Sequence, residues 1–153
     1  MRGQEARDQA ERKAMMATLA QSAGDEIARL WSEAGLPSEA ELLRGPETGL
    51  VTVRGRIGGG GAPFNVGEAT VTRATVRLPS GRVGHCYALG RDKQKAKLAA
   101  IADALWQDSA HRDDVQTKLI APLQAALAEA REKRRAETAA TKVDFFTMVR
   151  GED

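Results

Sequence analysis

The first part of the chain carries apolar residues at helical spacing. From Met16 to Ala34 they recur every three or four positions, which places them on one stripe of a helix predicted over about 5–34. Gly24 interrupts the stripe, so two helices that meet there are as compatible with the pattern as one. Gly35 is typical of a left-handed residue that ends a helix.

In the middle of the chain, about 40–89, the apolar period changes from helical to two. Val51 and Val53 alternate with polar residues, and so do Val71 and Val76, which predicts strands rich in β-branched side chains. Short reversals between the strands require antiparallel pairing. We therefore expect a four-stranded antiparallel sheet. The predicted reversals are Glu47-Thr48-Gly49, Gly58 to Pro63 and Pro79-Ser80-Gly81.

After Gly90 the helical period returns. Asp92 is a good N-cap for a helix that extends to about Trp106, and a further helix is predicted over about 113–139, with Pro122 as a kink or restart. The absence of a βαβ alternation indicates an α+β fold, with the N-terminal and C-terminal helices packed mainly on one face of the sheet.

The predicted domain organisation is a single α+β domain over residues 1–142, followed by an apolar C-terminal tail, 143–153. Residues 1–13 are interpreted as a variable or frayed extension. A chain of 153 residues has the usual size of one domain and buries enough surface to fold without disulfides or metal.

Composition favours a cytoplasmic protein that binds neither membranes nor nucleic acid. No apolar run approaches the ~20 residues that span a bilayer, and the N-terminus has no apolar segment typical of a signal peptide. The single Cys86 suits a reducing compartment. A formal net charge of +2 is small for a nucleic-acid binder, so a free-standing nucleic-acid-binding module is the weakest alternative.

Residues with catalytic potential are few and scattered. His85 and Cys86 are neighbours on a predicted strand and therefore point to opposite faces. His111 is the other histidine, and nothing around it has metal-ligand spacing. We predict no catalytic residue, no metal site and no cofactor in this chain.

Two segments are candidates for anion binding. Arg91 and Lys93 lie where a strand passes into a helix, and a helix N-terminus with two cations favours a bound anion. The alternative is a plain N-cap by Asp92 with solvated cations beside it. The glycine run 58–61 has backbone N–H groups for a phosphate but lacks the ending of a P-loop, so a hairpin loop is the favoured interpretation.

Four arginines fall within predicted strands. The alternation rule places Arg54 and Arg56 on one face, and Arg73 and Arg77 on one face. Such a face could bind acidic or phosphate-rich partners bidentately, or it could simply meet solvent.

The C-terminal tail is unusually apolar for a chain end. Burying its large side chains would stabilise it by an amount close to the entropic cost of ordering it, so it needs a groove on this chain or on another subunit. The residues leave both places open, the chain's own sheet and another subunit. If the groove lies on a partner, the residues that bind it are Val143, Phe145, Phe146, Met148, Val149 and Arg150.

Several segments together resemble the G subunit family of the bacterial carbon–phosphorus lyase system for organic phosphonates. The similarity runs from about Met16 to Gly151, and the Gly-Arg-Asp-Lys segment and the tail are its most specific parts. The matching segments are Glu47-Thr48-Gly49-Leu50, Gly67-Glu68-Ala69-Thr70-Val71-Thr72-Arg73-Ala74, Leu89-Gly90-Arg91-Asp92-Lys93-Gln94, Leu119-Ile120-Ala121-Pro122-Leu123 and Val143 to Gly151.

The resemblance implies a role in bacterial phosphonate catabolism, which releases phosphate from carbon–phosphorus compounds and is associated with phosphate starvation. It implies a core complex with the H, I and J subunits, two copies of each, in which I is the direct contact of this chain. With H, I and an ATPase-like accessory subunit, the G subunit supports the displacement of adenine from ATP by methylphosphonate. The nucleosidase activity belongs to I, and J performs the radical cleavage with its iron–sulfur cluster. The chain is then enzymatic only as part of a multi-subunit enzyme.

Overall fold

The computed structural model describes residues 2–141. Two helices come first, three strands follow, and a further set of helices completes the chain. The helices are α1 (Arg2–Gln21), α2 (Gly24–Ala34), α3 (Lys93–Trp106), the short α4 (Arg112–Asp114) and α5 (Ala121–Ala140), and the strands are β1 (Glu41–Gly55), β2 (Phe64–Arg77) and β3 (Val83–Leu89).

The N-terminal helical stripe divides into two helices at Gly24. A side chain at this position would overlap the Asp92 carboxylate at the start of α3, so glycine allows the two elements to approach closely. At the other end of α2, Gly35 has a φ of 61° and its N–H bonds to the carbonyl of Ser32. This left-handed C-cap is the helix end that the sequence predicts.

The sheet has three antiparallel strands in the order β1-β2-β3, so the prediction of four strands is wrong. The predicted reversal at Glu47-Thr48-Gly49 lies inside β1, where Glu47 pairs with Arg73. Just before it the register shifts, because Gly45 and Pro46 together lie opposite the single residue Ala74. A bulge on an edge strand tolerates proline, which has no N–H for the ladder. The turn-like composition therefore marks a bulge in one long strand.

The helix predicted over about 113–139 is one continuous helical run over residues 112–140, without a restart at Pro122. Between α4 and α5, residues Val115–Ile120 adopt a π-helical turn. Pro122 follows at once, in the first turn of α5. Proline has no N–H to donate to residue 118 and crowds its carbonyl, and a wider turn relieves both problems. The predicted disturbance at Pro122 is thus a local widening of the helix.

The hydrophobic core lies between one face of the sheet and the helices, and the α+β class agrees with this arrangement. Ala74 and Val76 of β2 and Cys86 of β3 are buried on this face, while Arg73 and Tyr87 on the other face are exposed. The packing is closest at Gly84, where an added side chain would overlap the backbone of Ala100 and Ala104 in α3. The predicted tail, 143–153, lies outside the described residues.

Candidate functional site

The strand-to-helix junction at Gly90 places Arg91 and Lys93 on either side of Asp92. The Asp92 carboxylate accepts the backbone N–H of Lys95 at 2.8 Å, so the side chain caps α3. Both cations are exposed, and neither forms an ion pair with another described residue. The structure therefore brings the two predicted anion-binding residues together at a helix end where a carboxylate already holds one of the free N–H groups.

The arginines of the sheet separate into two groups. Arg73 lies 2.8 Å from the Glu47 carboxylate, and Arg77 lies 3.4 Å from the carboxylate of Glu41, both across the β1–β2 ladder. These two cations share the exposed face, as predicted, but each is already matched by an anion. Arg54 lies near the far end of β1 and Arg56 directly after the strand, both away from Arg73 and Arg77.

The glycine run 58–61 joins two antiparallel strands, which is the hairpin position. Ile57–Gly59 forms one 3₁₀ turn, in which Gly58 has a φ of 61°. Arg56 donates to the carbonyl of Gly61 at 3.4 Å and so bridges the two ends of the loop. The glycines thus serve the conformation of a tight loop at the tip of the hairpin.

His85 and Cys86 point to opposite faces of β3, as the alternation rule predicts. His85 is exposed, with Nδ1 3.2 Å from the Thr75 hydroxyl. Cys86 is buried, and burial raises the pKa of its thiol to about 11. A thiol with this pKa stays protonated at neutral pH and is a poor nucleophile.

His111 is separate from both, since it follows α3 and lies near Asp108. Its Nδ1 atom is 3.8 Å from the Asp108 carboxylate. The pKa of Asp108 is lowered, mainly because its carboxylate accepts the backbone N–H of Ala110. Over residues 2–141 no three His, Cys, Asp or Glu side chains come together as a metal site.

A buried ion pair is the feature that the sequence pattern did not reveal. Asp103 of α3 is fully buried and accepts two hydrogen bonds from the Arg12 guanidinium, each of 2.8 Å. It also accepts the backbone N–H of His85 at 2.9 Å. The sequence signal for this pair was Asp103 itself, a single acidic residue inside the apolar stretch of α3. A buried carboxylate requires a partner, so its presence there indicates a buried ion pair. All three bonds connect structural elements, so the pair holds α1, α3 and β3 together.

The outer edge of β3 is partly covered from the same side. Besides Asp103 of α3, Gln107, the C-cap residue that follows α3, donates its side-chain N–H to the carbonyl of Val83 at 2.9 Å. These two side chains thus occupy one N–H and one carbonyl that a foreign strand would need at this edge. The opposite edge of the sheet is β1, a strand in which no residue is buried.

Comparison with known proteins shows which family the sequence of this chain matches. The family model described as "Phosphonate metabolism protein PhnG" matches residues 10–151. The chain belongs to the PhnG family of phosphonate metabolism proteins. A curated relative from Rhizobium meliloti (strain 1021) is 55% identical over 145 residues, which cover 94% of this chain and 92% of the relative. That relative is named alpha-D-ribose 1-methylphosphonate 5-triphosphate synthase subunit PhnG.

The PhnG family match includes Arg91 and Lys93 as well as most of the predicted tail. The family assignment thus rests on nearly the whole chain.

Within the part of the chain that the structure describes, no helix is long and apolar enough to cross a bilayer.

Proposed function

We propose that this PhnG-family chain is an accessory, non-catalytic subunit of a ribose 1-methylphosphonate 5-triphosphate synthase. In this enzyme the ribose triphosphate of ATP is transferred to methylphosphonate and adenine is released. The observation that carries the proposal is the 55% identity, over 94% of the chain, to a subunit of such a synthase. Because the identity extends over nearly the whole relative, it supports a shared architecture and a shared place in the assembly.

The placement of the polar groups supports an accessory role. The fully buried carboxylate, Asp103, is held by Arg12 and by the backbone of β3, and Asp92 caps a helix. The lone thiol of Cys86 is buried with a raised pKa. These groups are either bonded within the fold or buried, which supports a subunit that assists while other subunits supply the reacting groups.

The proposed partners are the H, I and J subunits, in a cytoplasmic core complex with two copies of each. The I subunit is the proposed direct contact, and the apolar tail is the docking element. An apolar segment at a chain end is stabilised when it fills a groove on another protein. The residues proposed to enter that groove are Val143, Phe145, Phe146, Met148, Val149 and Arg150.

Co-purification with a tagged I subunit tests this proposal. The full chain is expected to co-purify in equal amount, whereas a chain truncated after Lys142 is expected to stay folded but unbound. Folding of the truncated chain is checked by circular dichroism. If both forms bind equally, the tail is not the docking element. If the full chain does not bind, the proposed place in the assembly is wrong.

A second candidate role is a direct contribution to phosphate or phosphonate binding at a subunit boundary. The observation that favours it is the exposure of Arg91 and Lys93 at the N-terminal end of α3, where the helix dipole also attracts anions. Replacing both residues by Ala is then expected to weaken substrate use by an otherwise assembled complex. Loss of assembly in that variant would show that the cations are structural instead.

A further inference from the structure

The β1–β2 hairpin extends well beyond the rest of the sheet. Strand β3 pairs with β2 only from Val71 to Arg77, whereas β1 and β2 remain paired up to Gly55 and Phe64. We call the protruding part, residues 50–55 and 64–70, the free ribbon. At about 3.4 Å per residue it extends roughly 20 Å past the end of β3.

The free ribbon exposes large apolar side chains on both of its faces. Leu50 is 64% exposed and Val53 is 43% exposed, and their positions in β1 point to opposite faces. On β2, Phe64 is 42% exposed and Val66 is 59% exposed. A strand pair that only meets water on one face carries polar residues there, and an isolated two-stranded ribbon is marginally stable. The apolar surface of the ribbon is therefore typical of an element that is covered in an assembly.

The tip of the ribbon is positively charged. Arg54 and Arg56 flank Gly55, and neither is within ion-pair distance of a carboxylate among residues 2–141. Two copies of this chain that met tip to tip would bring these like charges together, which is unfavourable. A groove of another polypeptide, apolar inside and with carboxylates at its rim, matches both the side chains and the charges.

The helix that leads to the tail leaves the domain at the same end as the ribbon. Arg131 of α5 contacts Gln21 at the end of α1, and Lys95 at the start of α3 bonds to the Ala20 carbonyl. The end of β3 is joined to α3 at this same side, and α5 continues past it to Ala140. One partner can therefore contact both the free ribbon and the C-terminal end of α5.

We propose that the free ribbon inserts into an apolar, acid-rimmed groove of the subunit that receives the tail. This inference rests on the proposed function and adds to it a second docking element, which acts together with the tail. Leu50 and Val66 are the apolar contacts of the interface, and Arg54 and Arg56 are its ionic contacts.

The test uses full-length chain co-expressed with the H, I and J subunits and retained on tagged I. Leu50→Asp and Val66→Asp are expected to reduce retention about ten-fold or more, because each places a charge in an apolar contact. Leu43→Asp is the matched control, since Leu43 is a 40% exposed leucine of the same strand outside the ribbon. It is expected to be retained like the wild type. Circular dichroism and urea unfolding confirm that all variants are folded.

A photo-reactive amino acid at position 50 identifies the occupant. Cross-linking to the I subunit is expected, and cross-linking to a second copy of this chain, to H or to J would overturn the assignment. Full retention of the folded Leu50→Asp and Val66→Asp variants would also overturn it. If wild-type chain is not retained at all, the proposed function fails. If wild type and both ribbon variants are retained equally, only the ribbon inference fails.

Discussion

Removal of the Arg12 side chain is expected to be among the most destabilising single changes on α1. In the native structure the guanidinium makes a two-pronged pair with Asp103, whose side chain is 0% exposed. Arg12→Ala would leave that carboxylate buried with the His85 N–H as its one remaining donor. Breaking a buried pair in this way costs about 3–5 kcal/mol.

The expected loss in free energy of unfolding lies at the lower end of that range, about 3 kcal/mol. The Arg12 side chain is 33% exposed, so water reaches part of the space that it vacates and hydrates the carboxylate. Arg12→Lys retains the charge but loses the planar two-pronged geometry, and an intermediate loss of about 1–2 kcal/mol is expected.

Urea unfolding followed by circular dichroism and by tryptophan fluorescence measures these losses. For a chain of this size a 3 kcal/mol loss lowers the midpoint by roughly 1.5 M. Lys13→Ala is the matched control, because it removes an exposed cation one residue away, and a change within about 0.5 kcal/mol is expected. If Arg12→Ala were no more destabilising than Lys13→Ala, the proposed role of the buried pair would be refuted.

Three further changes test the packing, the helix cap and the buried thiol. Gly84→Ala is expected to lower the free energy of unfolding by about 1–3 kcal/mol, because the added methyl group pushes α3 away from the sheet. Gly49→Ala is the control, since open space surrounds Gly49, and it is expected to be nearly neutral. Urea unfolding measures both changes. Asp92→Ala is expected to cost about 1 kcal/mol through loss of the α3 cap, measured as a lower thermal midpoint. The pKa of Cys86 rises from 9.0 to about 11 on folding, so the unfolded thiol ionises first and stability falls as pH rises through this window. Cys86→Ala is expected to lose this part of the pH dependence, and identical profiles for the two proteins would contradict the burial argument.

Helices were predictable because each leaves a periodic trace in the sequence. Gly35 indicated the end of the N-terminal helical region, whereas Gly24 left one helix and two helices equally compatible with the pattern. Both positions have the close approach or the left-handed backbone that requires glycine. Asp92 indicated the start of α3 for the same local reason, a side chain that bonds to its own helix. Local signals of this kind need no knowledge of tertiary structure.

The number of strands was not predictable from local signals. Gly45 and Pro46 have the composition of a reversal, but pairing with β2 makes them a bulge within β1. A bulge and a turn use similar residues, and only the partner strand distinguishes them. The free ribbon was missed for the related reason that exposure of Leu50 depends on where β3 ends.

The pair of Asp103 and Arg12 was also beyond a local analysis. The two residues are 91 positions apart, and α1 approaches α3 only in the folded chain. The candidate anion-binding residues, in contrast, were placed together by their adjacency in sequence. The predicted partner-binding residues of the tail remain a prediction, since they lie outside the described part of the chain.

The most direct test of the accessory-subunit account is formation of ribose 1-methylphosphonate 5-triphosphate from ATP and methylphosphonate. The H, I and ATPase-like subunits are assayed with this chain and without it, and the chain is also assayed alone. The product is expected only when all subunits are present, and adding the purified chain back to the incomplete mixture is expected to restore it. Full product formation without the chain would contradict a required accessory role, and product formation by the chain alone would contradict its non-catalytic nature.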